Sequence, residues 1–115
     1  MTGDELAELL ERDEIVLVDV RTEEEYEGSA GYPCDPRQGH IPGAINLDLN
    51  ELYAAGDSAG LARLLEERGI AAGRPVVAYC HSGSRSELAA ALLRAAGVDA
   101  VNYAGSWHEW SRREA

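Results

Sequence analysis

The sequence of 115 residues contains no lysine, only two cysteines and no long uninterrupted apolar run. A helix that crosses a membrane needs at least roughly 18 consecutive apolar residues, so we expect no membrane span. Two cysteines in a chain of this length do not make a disulfide framework. The acidic N-terminus, residues 1–5, is unlike a signal peptide. We therefore expect a cytoplasmic protein in a reducing compartment.

The chain has 10 arginines and 21 acidic residues, so its net charge is -11. This balance makes nucleic acid an unfavourable partner. The same field opposes the approach of small anions, so an anionic substrate would need a local pocket of arginine and backbone N–H groups. Acidic runs such as Glu23-Glu24-Glu25 are typical of solvated helix surface.

Short apolar segments alternate along the chain with segments of helical periodicity. The strand candidates are residues 15–20, 44–47, 76–79 and 101–103. The helix candidates are residues 4–11, a short helix after 22, and residues 51–55, 58–68, 87–96 and 106–113. This alternation predicts one α/β domain over residues 1–115, with a mostly parallel sheet flanked by helices. Glycine and proline in residues 28–43 predict a long irregular loop.

Four polar residues are expected to start helices. Thr2-x-x-Glu5, Thr22-x-x-Glu25 and Ser106-x-x-Glu109 fit the capping-box pattern, and Asn50 fits a simple N-terminal cap.

Cys80 follows the apolar strand candidate 76–79 and opens the segment Cys80-His81-Ser82-Gly83-Ser84-Arg85-Ser86. Backbone N–H groups in a glycine-containing turn, the positive end of the next helix and Arg85 would all stabilise a thiolate. Cysteines in such settings have pKa values of about 3.5 to 7.5. The alternative is a buried cysteine that only fills the strand end, but Gly83 and Arg85 favour a reactive thiol.

Asp19-Val20-Arg21 ends another strand candidate. In an open parallel sheet, ligands bind outside the carboxyl ends of the strands. We therefore expect this segment and Cys80 to lie at the same edge of the sheet.

These residues resemble the motifs of rhodanese domains, which transfer a sulfane sulfur through a cysteine persulfide. The motifs are Asp19-Val20-Arg21, Gly39-His40-Ile41-Pro42-Gly43-Ala44, the loop 80–85 and the segment 103–110, Tyr-Ala-Gly-Ser-Trp-His-Glu-Trp. The last is similar to the end of the catalytic half of tandem-domain thiosulfate and 3-mercaptopyruvate sulfurtransferases. The resemblance covers nearly the whole chain, and it implies a rhodanese-like fold with about five strands and helices on both faces.

The resemblance also implies a reaction. Cys80 would take a sulfur from thiosulfate or a related donor and pass it to cyanide, a thiol or a protein acceptor, without metal or organic cofactor. Arg85 would assist catalysis and hold the anionic donor. Main-chain N–H groups of residues 81–86 and the side chains of His81, Ser82, Ser84 and Ser86 around Gly83 would bind the substrate.

Several residues keep more than one interpretation. Arg21 either contacts the donor, as its counterpart does in tandem enzymes, or forms a structural ion pair with Asp19 or a neighbouring acid. His81 assists thiolate formation, helps to neutralise the donor, or is an exposed loop residue. Cys34 is either an exposed loop thiol or a thiol that resolves the Cys80 persulfide. We expect structural roles for four further residues, namely His40, Trp107, Trp110 and, on the surface, His108.

The loop 80–85 departs from the usual patterns, since it is neither Cys-Arg-x-Gly nor Cys-Gly-Ser-Gly. Its Ser84-Arg85-Ser86 end looks more like single-domain thiosulfate enzymes, so thiosulfate is the favoured donor, with mercaptopyruvate and a protein persulfide as alternatives. Tandem enzymes complete the pocket with their first half, so this chain would leave that side open or cover it as a homodimer.

Two other functional classes share these features. Phosphatases of the cell-cycle type use this fold with a Cys-x5-Arg loop, whereas residues 80–85 form Cys-x4-Arg, whose smaller ring of N–H groups suits a sulfur better. A persulfide carrier or redox-sensing module without turnover would have the same sequence pattern.

Overall fold

A four-stranded parallel sheet forms the centre of the structure, a computed structural model that describes residues 1–113. The strands are β1 (Val16–Asp19), β2 (Ile45–Asn46), β3 (Val76–Tyr79) and β4 (Ala100–Asn102), in the order β2-β1-β3-β4. All neighbouring pairs are parallel. The α/β fold is confirmed, but the expected count of about five strands is wrong for the described residues, because only four apolar segments with strand character exist.

Six helices connect and cover the strands. They are α1 (Gly3–Glu11), α2 (Glu23–Glu27), α3 (Leu49–Ala55), α4 (Ser58–Glu67), α5 (Ser84–Ala95) and α6 (Ser106–Trp110). The capping boxes at Thr2 and Thr22 are confirmed. Residues 28–44 contain neither helix nor strand, as their glycines and prolines predicted.

Two predicted helix starts are wrong, and one predicted capping box is absent. Helix α3 is capped by Asp48, whose carboxylate accepts from the Asn50 N–H, because Asp48-x-x-Glu51 forms a capping box two residues before the expected cap. Helix α5 begins at Ser84 rather than at 87. Helix α6 begins after Gly105 without a side-chain cap, because the Ser106 hydroxyl is used elsewhere.

The strands alternate their side chains between two apolar clusters, one on each face of the sheet. Helices α3, α4 and α5 pack against one face, where the buried residues include Val18, Leu52, Leu65, Ala78 and Leu93. Helices α1 and α6 and the loop 28–44 cover the other, with Leu6, Leu17, Ile41, Val77 and Trp107. The expected coverage of both faces by helices is therefore confirmed.

The carboxyl ends of β1 and β3 lie side by side. Asp19 at the end of β1 pairs in register with Tyr79 at the end of β3. Arg21 and Cys80 therefore follow adjacent strand ends at one edge of the sheet, as predicted. Within residues 1–113, no helix has both the length and the apolar character needed to cross a membrane.

Candidate active site

The Cys80 sulfur lies in a ring of hydrogen-bond donors. Its Sγ atom accepts from the Gly83 N–H group at 3.1 Å and from the Ser86 hydroxyl at 3.3 Å. The Ser86 hydroxyl is also 3.2 Å from the Gly83 carbonyl, so its single proton is shared between two acceptors. A thiolate, which only accepts hydrogen bonds, attracts that proton to sulfur.

These donors stabilise the ionised form of Cys80. The residue is only 1% exposed, and burial by itself would raise the pKa of the thiol. Hydrogen bonds from the Ser86 side chain and backbone, then from Gly83 and Ser82, outweigh burial and lower the pKa below its ordinary value. The sequence-based expectation of a thiolate-stabilising turn therefore agrees with the geometry.

The early start of α5 brings its N-terminal turn to the sulfur. Ser84, Arg85 and Ser86 belong to the first turn of this 12-residue helix. Gly83 precedes it with φ of +97°, a conformation that glycine adopts without strain. A Cβ atom at this position would lie 2.6 Å from the Ala104 carbonyl oxygen. Gly83 thus permits both the turn and the close packing that aim its N–H group at Sγ.

Arg85 is paired with Glu25, an acid that was predicted to lie on a solvated helix surface. Its two terminal nitrogens donate to the two carboxylate oxygens of Glu25 at 2.9 and 3.1 Å. Burial alone would raise the pKa of Glu25, but Arg85 and Thr22 lower it, so the carboxylate is ionised. The solvated-surface interpretation is wrong for Glu25, while Glu23 and Glu24 are exposed.

His81 is directed toward the loop 28–43 rather than left as an exposed residue. Its Nε2 atom lies 3.0 Å from Asp35 Oδ2, and its ring stacks on Tyr32 with centroids 3.8 Å apart. The other Asp35 oxygen accepts from Arg112 at 2.8 Å. Asp35 is buried, so this network fixes the loop against the segment that carries the nucleophile.

Arg21 is 1% exposed and forms a two-pronged ion pair with Asp19. It also donates to the Gly39 carbonyl, and its guanidinium lies 5.2 Å from the Trp107 ring and 5.7 Å from the Tyr79 ring. Of the two interpretations of Arg21, these contacts favour the structural ion pair. The burial of the guanidinium argues against a direct contact with a donor.

The remaining predicted residues occupy different settings. The hydroxyl-bearing Ser82 and Ser84 are exposed at the loop, and Ser86 is fully buried. Cys34 is an exposed free thiol, next to Asp35 in the chain. The His40 Nδ1–H group donates to the Tyr26 carbonyl oxygen, 2.8 Å away, and the His40 ring stacks on the Tyr26 ring. Trp107 is buried, Trp110 is partly buried and His108 is exposed.

Several contributors were not recognised from the sequence as site residues. They are Ser106, which binds the Cys80 N–H, Asn102, whose amide donates to the Gly83 carbonyl, and the two acids Glu25 and Asp35. All four residues are distant from the Cys80 loop in sequence, so the local sequence around Cys80 does not predict their contacts. In the part of the chain that the structure describes, no group of three or more His, Cys, Asp or Glu side chains is arranged to hold a metal.

Known proteins are similar to this chain in sequence and in fold. The family model described as a Rhodanese-like domain matches residues 2–113. SseB of Mycobacterium tuberculosis is 39% identical over 102 residues, covering 84% of this chain and 35% of that protein. The thiosulfate sulfurtransferase of Azotobacter vinelandii is 35% identical over 102 residues, covering 84% and 37%. The human single-domain sulfurtransferase TSTD1 has a TM-score of 0.73 at 32% identity, covering 100% of this chain and 96% of that one.

The chain therefore spans little more than a third of the length of the two curated relatives, whereas it matches nearly all of the human structure. The match over residues 2–113 shows that the chain belongs to the rhodanese-like domain family.

Proposed function

We propose that this chain is a sulfurtransferase that moves a sulfane sulfur from thiosulfate to a thiophilic acceptor through a Cys80 persulfide. The observation that carries this proposal is the donor ring at Sγ, made of the Gly83 N–H and the Ser86 hydroxyl at the N-terminus of α5. The activity named for the Azotobacter vinelandii relative and the name of the human single-domain structure support it.

In the first half-reaction, the Cys80 thiolate attacks the outer sulfur of thiosulfate. A sulfur–sulfur bond forms at Sγ, the bond within thiosulfate breaks, and sulfite leaves with its electron pair. The terminal sulfur of the persulfide now carries the negative charge. Backbone N–H groups of residues 82–86 stabilise that charge, as an oxyanion hole does for oxygen.

In the second half-reaction, a nucleophile such as cyanide or a thiolate attacks the terminal sulfur. The persulfide bond breaks, thiocyanate or a new persulfide leaves, and the Cys80 thiolate returns with the electron pair. The lowered pKa of Cys80 serves both halves, since it favours the thiolate as nucleophile and as leaving group.

We assign the site residues as follows. Cys80 is the nucleophile, and Arg85 at the rim of the loop is the cation nearest the reacting sulfur in sequence. Donor binding is assigned to His81, Ser82, Gly83, Ser84 and Ser86, because the Gly83 N–H and the Ser86 hydroxyl contact Sγ and Ser82 and Ser84 are exposed nearby in the chain. Arg21, paired with Asp19, supports the loop 28–44 through the Gly39 carbonyl instead of binding the donor.

Intact-mass spectrometry of the reduced protein before and after thiosulfate treatment tests this function. We expect a gain of one sulfur atom, about 32 Da, in the wild type and none in a Cys80→Ser variant. Cyanide should then remove the added mass with formation of thiocyanate. If thiosulfate, 3-mercaptopyruvate and a small persulfide all leave the mass unchanged, the chain is a binding or redox module.

Thiosulfate is the proposed donor because the Ser84-Arg85-Ser86 end of the loop is similar to single-domain thiosulfate enzymes. Steady-state assays with both donors test this choice. A kcat/KM for 3-mercaptopyruvate at least about ten times that for thiosulfate would reverse it.

Cys34 is proposed as the second thiol because it is exposed and lies in the loop that contacts His81 through Asp35. Thiol mapping after mild oxidation tests this role. A Cys34–Cys80 link would support a resolving thiol, and its absence would leave Cys34 as a loop residue.

We further infer one domain over residues 1–115, a reducing cytoplasmic location suited to a thiolate, and a homodimer that covers the open side of the site. Light scattering tests the last of these, since a monomeric mass at micromolar concentration would exclude the dimer.

A further inference from the structure

Glu25 is held in place by more than Arg85. Its Oε1 atom also accepts from the N–H and hydroxyl groups of Thr22, at 3.3 and 3.2 Å. The bond from the Thr22 N–H, together with the bond that the Thr22 hydroxyl oxygen accepts from the Glu25 N–H at 3.2 Å, forms the capping box of helix α2. The Glu25 side chain is only 12% exposed, compared with 32% for Arg85. Because the cap fixes the carboxylate, an incoming anion cannot displace it from Arg85 without also disturbing the start of α2.

Arg85 lines a small open cleft at the surface. The cleft has a volume of about 260 Å³, and Glu25, Gly31 and Tyr32 form its other walls. Arg85 is also within electrostatic range of Cys80, which contributes to the raised pKa of the guanidinium after the larger effect of Glu25. A donor that approaches Cys80 past Arg85 therefore meets an arginine and a glutamate together.

Two other arginines that contact the loop 28–44 are also paired with acids. Arg21 is paired with Asp19, and Arg112 is paired with Asp35, which contacts His81. The chain as a whole carries a net charge of -11. These pairs reduce the positive potential that would attract a doubly charged anion, and the surrounding field opposes such an anion.

We propose that Glu25 is a specificity-determining residue: by holding both terminal nitrogens of Arg85, it makes the site discriminate against doubly charged sulfur donors and in favour of donors with one charge or none. The proposal rests on the sulfurtransferase function proposed above, and it adds a substrate class. Thiosulfate, a dianion, is then accepted with a high KM, while a monoanionic thiosulfonate is bound better.

Two donors isolate the effect of charge. Thiosulfate and methanethiosulfonate both carry the transferable sulfur on an oxidised sulfur atom, but they differ by one negative charge. With methanethiosulfonate, the Cys80 thiolate takes the outer sulfur and methanesulfinate leaves with the electron pair. The ratio of the two kcat/KM values therefore reports how the site treats the extra charge.

The test compares wild type, Glu25→Gln and Glu24→Gln. Glutamine keeps the capping box, because its side-chain oxygen accepts the same bonds. Glu24 lies on the same helix turn but is exposed, so its variant loses the same formal charge without freeing Arg85. We expect Glu25→Gln to raise kcat/KM for thiosulfate, relative to methanethiosulfonate, by at least about threefold, and Glu24→Gln to change the ratio by less than about 1.5-fold.

Alkylation gives a readout that does not depend on sulfur transfer. In a Cys34→Ser background, the rates of Cys80 modification by anionic iodoacetate and neutral iodoacetamide are compared. Both reagents require the thiolate, so a change in the pKa of Cys80 cancels in their ratio. We expect the iodoacetate-to-iodoacetamide ratio to rise at least about threefold in Glu25→Gln only.

The outcomes separate this inference from the proposed function. If donors fail to load Cys80 but the alkylation ratio rises in Glu25→Gln, the transfer function is wrong and the control of charge by Glu25 stands. If donors load Cys80 but both ratios are the same in all three proteins, Glu25 does not set specificity. A fall in kcat/KM for both donors, at an unchanged ratio, would show that Glu25 only positions Arg85.

Discussion

The Ser106 hydroxyl holds the backbone of Cys80. It accepts a hydrogen bond from the Cys80 N–H group at 3.0 Å and donates one to the Tyr103 carbonyl at 2.8 Å. Ser106 is fully buried and has φ of +54°, a left-handed conformation that is unusual for a residue other than glycine. The segment 103–107 thus fixes the position of the Cys80 backbone at the end of β3.

We expect Ser106→Ala to lower the free energy of unfolding by about 1–3 kcal/mol, because the buried Cys80 N–H loses its partner. Urea denaturation measures the loss. Ser106→Gly also removes the hydroxyl but relieves the positive φ, so it should be no less stable than Ser106→Ala. An alanine variant as stable as the wild type would contradict this role.

We expect Ser86→Ala to raise the pKa of Cys80. Burial already disfavours the thiolate, and the variant removes the side-chain hydrogen bond that most strongly opposes burial. The alkylation rate by iodoacetamide, measured against pH in a Cys34→Ser background, should therefore have its midpoint at higher pH. Near neutral pH the variant reacts more slowly, while above both midpoints the two proteins react alike.

The matched control for this experiment is Ser84→Ala, since the Ser84 hydroxyl is exposed on the same helix turn. If the pH midpoint of alkylation shifted equally in both variants, the result would argue against a specific hydrogen bond from Ser86 to the Cys80 sulfur.

We expect Gly83→Ala to destabilise the fold by at least about 2 kcal/mol and to slow sulfur loading of Cys80. The added Cβ atom would lie 2.6 Å from the Ala104 carbonyl oxygen at φ of +97°. Gly97→Ala is the control, because Gly97 has φ of +90° but no atom within 4 Å of such a Cβ. Equal losses of stability in the two variants would show that the contact with Ala104 has no cost of its own.

We expect Arg21→Met to affect stability rather than donor binding. It leaves the carboxylate of Asp19 buried without its cation, which typically costs about 3–5 kcal/mol. Asp19→Asn combined with Arg21→Met should recover part of this loss, as judged by denaturation. A tenfold rise in the KM for thiosulfate in the double variant, with near-normal stability, would instead favour a direct contact with the donor.

Local sequence was sufficient to predict much of the site. The apolar strand before Cys80, the glycine in the following turn and the helix behind it are all close in sequence, and N–H groups of such a turn converge for geometric reasons. The predicted start of α5, residue 87, is three residues too late, because Ser84-Arg85-Ser86 has the polar composition of a loop. In the structure, their N–H groups form the positive end of the helix.

The pairing of charges could not be read from the sequence. Arg85 precedes Glu87 in the chain, yet its partner is Glu25, sixty positions away and in an acidic run that looked like solvated surface. Arg21 had two interpretations because a strand-end arginine can point to solvent or inward. In the structure, Arg21 points inward, where its guanidinium lies over the Trp107 ring and donates to the Gly39 carbonyl.

The sequence by itself determined the α/β class, the parallel sheet and the edge at which Cys80 and Arg21 meet. Strand periodicity and helix caps act over a few residues, and the carboxyl ends of parallel strands must share an edge. Only the tertiary structure decided which acid neutralises each arginine, where His81 is directed and which hydroxyl holds Cys80. Those contacts join segments distant in the chain, and their geometry depends on how the whole core packs.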